Sequence, residues 1–281
     1  MPFCKFLIRL ILSRKGFDSA SGGCPSFIIG NKLVSLPIPD EHTELKYNDI
    51  EICGYNVGEI FENSKIKPKL NSKKMTTCYL DLDIENGFFG QCSTAAQHLL
   101  NNNVKIGDIL LFFGWFREFD IKTHKFCTQD KMGKHCICAY FKIGRILDLN
   151  NSQDREEEAL QLTKTPPHIA YKSTEYEKTN LLFVADTKLL EDSDIRGGGR
   201  LKFSESTTLT KANENKSIWL LPKCFLNTNM TYHTNKNRWT DLNSEYCKVK
   251  SVYRGQEFVI SENKNVEQWA IELITNNLLH L

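Results

Sequence analysis

The sequence predicts an α+β fold: a mixed, strand-rich sheet or partly open barrel core, with a few short helices and a C-terminal amphipathic helix. Two observations carry this. Most apolar segments are runs of four to eight β-prone residues closed by glycine or polar turn signals, such as Ile109-Leu110-Leu111-Phe112-Phe113 and Asn180 to Ala185. Helical spacing of apolar residues is confined to two stretches, within residues 91–103 and 266–279.

In chain order, Phe6 to Leu12 is an apolar β-prone run that enters a polar, glycine-bearing loop from Ser13 to Cys24. Phe27 to Leu36 then reads as a hairpin about Gly30-Asn31. Residues 37–75, with Pro37, Pro39 and the lysines 65, 67, 69, 73 and 74, are expected to be irregular with a cationic face. Gln91 to Asn103 is a helix whose apolar face is Ala95, Ala96, Leu99 and Leu100. A buried strand at 109–113 and a second at 137–143, continued to Leu147, flank a polar excursion. The acidic run at 154–158 and Pro166-Pro167 mark a minor break within one domain spanning 1–281. A strand at 180–185, a turn at Gly197-Gly198-Gly199, a strand at 217–221 and the closing helix complete the chain. That helix places Val266, Trp269, Ala270 and Leu273 on one face, with Ile274 beside them.

Lys+Arg exceeds Asp+Glu by only 36 to 34 in 281 residues, so no global field draws the chain to a polyanion and any such contact is local. No stretch approaches the roughly 18 apolar residues of a membrane span, and Phe6 to Leu12 is interrupted by Arg9 and lacks a cleavage site. A cytoplasmic location is therefore expected. The 10 cysteines read as small buried hydrophobes rather than a disulfide framework.

Five groups of residues are candidates for chemistry. In the first loop, Gly16, Gly22 and Gly23 allow backbone amides to form a nest, beside Arg14 and Lys15, with Ser13, Ser21 and Asp18 adding hydroxyls and a carboxylate. Together they suit a phosphate and a general base. Trp115 and Arg117 follow the strand at 109–113 and are candidates for stacking on a base, against core packing as the alternative for Trp115. Gln91 and His98, seven apart, share a face of the helix at 91–103, where Gln91 can meet an anion at the N-terminus and His98 act in proton transfer. Cys92 beside them is read as inert. His124, Cys127, His135, Cys136 and Cys138 cluster within 15 residues, but a single CxC on a strand is poor zinc spacing, so no metal site is assigned. Finally, His168 is a candidate acid or base, with Arg196 and Arg200 near the triple glycine as a second phosphate contact.

The strings LSRKGFDSASGGCPS and KLVSLPIPD, then GFFGQCSTAAQHLL and VKIGDILLFFGWFR, resemble the nucleotide modification associated domain 3 family over residues 10–120. The resemblance implies a role in DNA base or nucleotide modification in a phage or bacterial pathway. A nucleotide or DNA base would be the substrate, other proteins of the pathway the partners, and no membrane is involved. It carries over no catalytic residues, and no nucleotide-cofactor motif is recognisable. The apolar strand pair at 107–118 and 141–147 is also similar to the barrel core of PUA and EVE modules, which gives the alternative, a non-catalytic reader of modified bases.

Overall fold

The computed structural model describes residues 8–40, 43–64, 77–150 and 179–280. Strand β1 (Leu10–Arg14) leads through the polar loop to the hairpin β2 (Ser26–Ile29) and β3 (Lys32–Val34). The next segment is more regular than its prolines and lysines suggest. It holds the two-residue strands β4 (Ile38–Pro39), β5 (Glu51–Ile52) and β6 (Tyr55–Asn56), helix α1 (Val57–Asn63) and strand β7 (Cys78–Tyr79). The Asn56 side chain accepts the Glu59 amide to cap α1, whose buried Val57 and Ile60 face Phe17 and Phe27 in a separate small core. The lysines at 65–74 lie outside the described residues, as do the acidic run, Pro166-Pro167 and His168.

Strands β8 (Leu82–Asp83) and β9 (Phe88–Cys92) run into helix α2 (Ser93–Asn101). Here the expected helix at 91–103 is corrected. Gln91 and Cys92 are still strand, paired with Leu181 and Asn180, because the cross-strand ladder is made before the helix begins. The strand read at 109–113 extends through the aromatic run as β10 (Ile109–Asp120), and β11 (Lys125–Phe126) folds back on its end, so most of the polar excursion is ladder. Then come β12 (Lys134–Asp148), β13 (Asn180–Ala185), β14 (Gly198–Arg200), β15 (Ile218–Pro222), β16 (Trp239–Asp241), β17 (Tyr246–Lys250), β18 (Glu257–Ile260) and helix α3 (Lys264–Asn276).

The triple glycine is not a turn but the edge of strand β14, paired with β12. It lacks side chains because backbone and ring come too close: a Cβ on Gly197 would lie 2.1 Å from the Asp186 carbonyl oxygen, and one on Gly199 would lie 2.9 Å from the Tyr140 ring. Asn263 caps α3 by accepting the Asn265 and Val266 amides, and its Val266, Ala270, Leu273 and Ile274 are buried as the apolar spacing requires.

Eleven strands form one mixed sheet, ordered β18-β1-β10-β12-β13-β9-β8 along its main path, with β1 and β2 parallel to β10. The sheet curls into a half-barrel, confirming the expected α+β class. Its strands are apolar on both faces, which is why β10 reads as a continuous hydrophobic run rather than an alternation. Ile11, Phe89, Leu110, Phe112, Phe141, Phe183 and Val259 fill the concave interior. Leu10, Leu12, Ile109, Leu111, Phe113 and Phe258 face outward into a second core, closed by α3 and the small sheet β15-β17-β16. Among the described residues no helix is long and apolar enough to cross a membrane.

Candidate functional site

Strand periodicity positions the site. Side chains two apart share a face, so the interior residues Ile11, Phe89 and Val259 place Ser13 and Lys15, Gln91, and Glu257 on that same concave side. Each strand thus changes from apolar to polar at one end of the barrel. Strands β9 and β18 stand near opposite ends of the strand order, and no backbone ladder joins them. Side chains close the gap instead. Gln91 Nε2 donates to Glu257 Oε1 at 2.6 Å, and Ser13 Oγ donates to the same oxygen at 3.1 Å. Lys15 Nζ sits 2.9 Å from Asp81 Oδ2 and 3.6 Å from Glu257 Oε1, over the Phe89 ring at 4.4 Å.

The Glu257 side chain has no solvent exposure, and its Oε2 has no hydrogen-bond partner among the described residues. Burial raises its pKa, and the opposing pull of Lys15, Ser13 and Gln91 does not cancel that cost. Burial works against the Lys15 ammonium, but Asp81 and Glu257 outweigh it and raise its pKa, so it stays charged. The result is a charged ammonium beside a carboxyl whose proton affinity burial raises.

Glu257, Gln91 and Asp81 line a cleft of about 600 Å³, with Tyr79, the first turn of α2, His98, Tyr232 and Arg254 around it. Ser93 opens α2 at a positive φ of 51°, a sharp strand-to-helix turn that brings the helix N-terminus to the cleft. The first amides of a helix have no intrahelical partner, so this end is electropositive. His98 Nε2 is 3.2 Å from Thr231 Oγ1 and its ring lies against Tyr232, centroids 4.8 Å apart. Burial lowers the His98 pKa, partly offset by the Glu257 carbonyl, so the imidazole is neutral at neutral pH. Gln91 and His98 therefore line one cleft, although from a strand and a helix rather than one helical face.

The glycine loop behaves differently from the reading as an amide nest. Asp18 Oδ1 accepts the Ala20 and Ser21 amides, both at 2.7 Å, while the Asp18 amide donates to the Ser21 carbonyl and the Gly23 amide to the Asp18 carbonyl. Gly22 and Gly23 supply the positive φ values this needs, 79° and 68°. These donors serve the turn itself. Arg14 points to the opposite side of the sheet from Lys15, donates to the Tyr253 and Val252 carbonyls at 2.8 and 2.9 Å, and lies over Phe113 and Phe258. Trp115 Nε1 donates to the Met132 carbonyl and Lys216 Nζ sits 3.4 Å from its ring centroid, so one face is already covered. Arg117 donates to the Cys127 carbonyl and packs on Phe126. Arg200 pairs through Nε and Nη2 with the Glu85 carboxylate, and Arg196 donates to the Glu85 carbonyl.

Among the described residues no cluster of His, Cys, Asp and Glu has metal-holding geometry. Burial pushes the Cys136 and Cys138 thiols up to about 12. Sequence reasoning missed Glu257, Asp81, Tyr232 and Arg254. A lone acid opening an apolar strand, as in Glu257-Phe258-Val259-Ile260, was the available signal for the first.

The model of the nucleotide modification associated domain 3 family matches residues 9–261. The chain belongs to this family. The match takes in β1 through β18, so every residue of the cleft lies within this nucleotide modification associated domain, well beyond the 10–120 of the sequence resemblance. No curated protein and no solved structure matches the chain.

Proposed function

We propose that this nucleotide modification associated domain is an enzyme that modifies a nucleobase, free or within a nucleic acid, in the cleft above Glu257. The observation that carries this is the buried Glu257 carboxyl, held through one oxygen by Gln91, Ser13 and Lys15 while Oε2 has no partner. A carboxyl raised in pKa by burial can donate a proton to a ring nitrogen or carbonyl oxygen of a base and take one back, which is general acid–base work. Lys15 holds the charge beside it, and neutral His98 is a second group able to relay a proton or hydrogen-bond a base edge. The N-terminus of α2 and Arg254 supply the positive side of the cleft for a nucleotide phosphate.

Titratable groups line this cleft more densely than aromatic ones, with Tyr79 and Tyr232 its only aromatic walls besides His98 among the described residues. That balance favours chemistry over an aromatic cage for reading a modified base. The test is mass spectrometry of nucleosides and nucleotides from cells expressing the wild type or Glu257→Gln, with the purified variant's melting curve as a folding control. A modified species made by the wild type and reduced by about 10²–10⁴-fold in the variant, as loss of a general acid–base group entails, supports the reading. Equal products from a folded Glu257→Gln would overturn it.

A further inference from the structure

Arg14 ends β1 and Lys15 follows it, facing the opposite side of the sheet, so the Arg14 side has its own surroundings. A second cavity of about 370 Å³ lies there. Its walls carry one carboxylate, Asp18, and five basic residues: Lys15, whose ammonium is paired with Asp81 and Glu257, and four others, Arg14, Lys216, Arg238 and Lys250. None of the four forms an ion pair with a carboxylate among the described residues. Asp18 spends Oδ1 on the turn of its own loop.

Independent signs of an unfilled ligand site come from two orphaned polar atoms. Ser251 lines the cavity, is 5% exposed, and its Oγ has no hydrogen-bond partner. Arg14 Nε is buried and equally unpartnered. His135, also in the wall, accepts the Trp219 indole N–H on Nδ1 at 2.9 Å. Burial pushes its pKa down to about 3. The neutral ring therefore carries its proton on Nε2, as a donor. Lys216 is pinned over Trp115, and burial, with Arg14 beside it, lowers its pKa. A buried polar atom left without a partner costs free energy of the order of a lost hydrogen bond, so this arrangement is complete only with an acceptor bound.

We infer that this cavity is a second binding site, for a phosphate group, formed by Lys216, Arg238, Lys250, Arg14 and Ser251. A carboxylate has two acceptor oxygens, fewer than this many converging donors can use, whereas a phosphate presents three or four. The inference stands on its own residues and does not depend on the role given to Glu257. The phosphate belongs either to a nucleic-acid backbone or to a free phosphorylated compound.

The experiment is calorimetric titration of the full chain with inorganic phosphate and with a short single-stranded oligothymidylate, over a range of salt. Lys216→Gln/Arg238→Gln should weaken phosphate roughly tenfold or more per cation removed, Ser251→Ala should weaken it measurably, and Lys216→Arg should retain it. Glu257→Gln should bind as the wild type does, which separates this site from the cleft. If a strand is the source, the oligonucleotide binds more tightly than phosphate, and the double variant lowers the salt slope by about 0.7 per cation. Tighter phosphate than oligonucleotide assigns the site to a free phosphorylated compound. Absence of binding by both probes, or equal binding by a folded double variant, overturns the inference.

Discussion

Replacing Lys15 with methionine tests the ionic cluster directly. Methionine keeps an unbranched apolar stem over Phe89, where Lys15 Nζ now sits 4.4 Å from the ring centroid. What disappears is the cation paired with Glu257, whose side chain has no exposure, while Asp81 keeps 24% exposure and can be hydrated. Breaking a buried pair from one side costs about 3–5 kcal/mol. For a chain of this size that lowers the melting midpoint by about 6–20 °C. The loss is pH-dependent with a defined sign. Burial already raises the Glu257 pKa above 4.5 and Lys15 opposes that rise, so the variant raises it further. An acid with a raised folded pKa costs stability above that pKa and nothing below its unfolded value. The defect should therefore be largest at pH 8 and shrink as the pH falls toward 4.5. Adding Glu257→Gln should restore most of the stability, because the stranded charge is gone. Urea unfolding at several pH values reads all of this. A Lys15→Met loss under about 1 kcal/mol at pH 8, or one that does not diminish on acidification, would refute the reasoning.

His135, lowered from 6.5 to about 3, should show no imidazole titration by NMR between pH 5 and 8. Its neutral form contributes stability that is full above pH 6.5 and lost on acidification toward 3, at about 1.4 kcal/mol per pH unit relative to His135→Gln. A midpoint near 6.5 would contradict the burial and the Trp219 hydrogen bond together. Gly197→Ala should cost about 1–3 kcal/mol in chemical denaturation, since its Cβ would meet the Asp186 carbonyl at 2.1 Å. A neutral substitution there would mean that β14 does not approach Asp186 so closely.

The strands were legible where an apolar run had sharp ends, as at 180–185, and α3 where its apolar spacing matched one buried face. Boundaries failed where tertiary pairing outweighed local pattern: Gln91 and Cys92 joined β13 rather than α2, and the glycines at 198 and 199 became a strand because neighbours exclude side chains. Lys15 from the first loop meets Asp81, which lines the cleft. Sequence could not show that the loop's own carbonyls and Asp18 take the amides of Asp18, Ala20, Ser21 and Gly23. Nor could it join Glu257 to Ser13, since an acid at a strand start does not say which strand 244 positions away it will meet.

Ser13 and Glu257 are 244 positions apart, and Gln91 is 166 from Glu257. During synthesis Ser13 must wait for nearly the whole of this sequence before it meets Glu257, and contacts of such sequence separation form slowly. Because side chains rather than a ladder hold β18 to β9, a ligand seated against Glu257 would act as a suture across that seam. Its binding energy would then be read as resistance of the whole barrel to unfolding and proteolysis, so that ligand occupancy itself sets how long the protein survives in the cell.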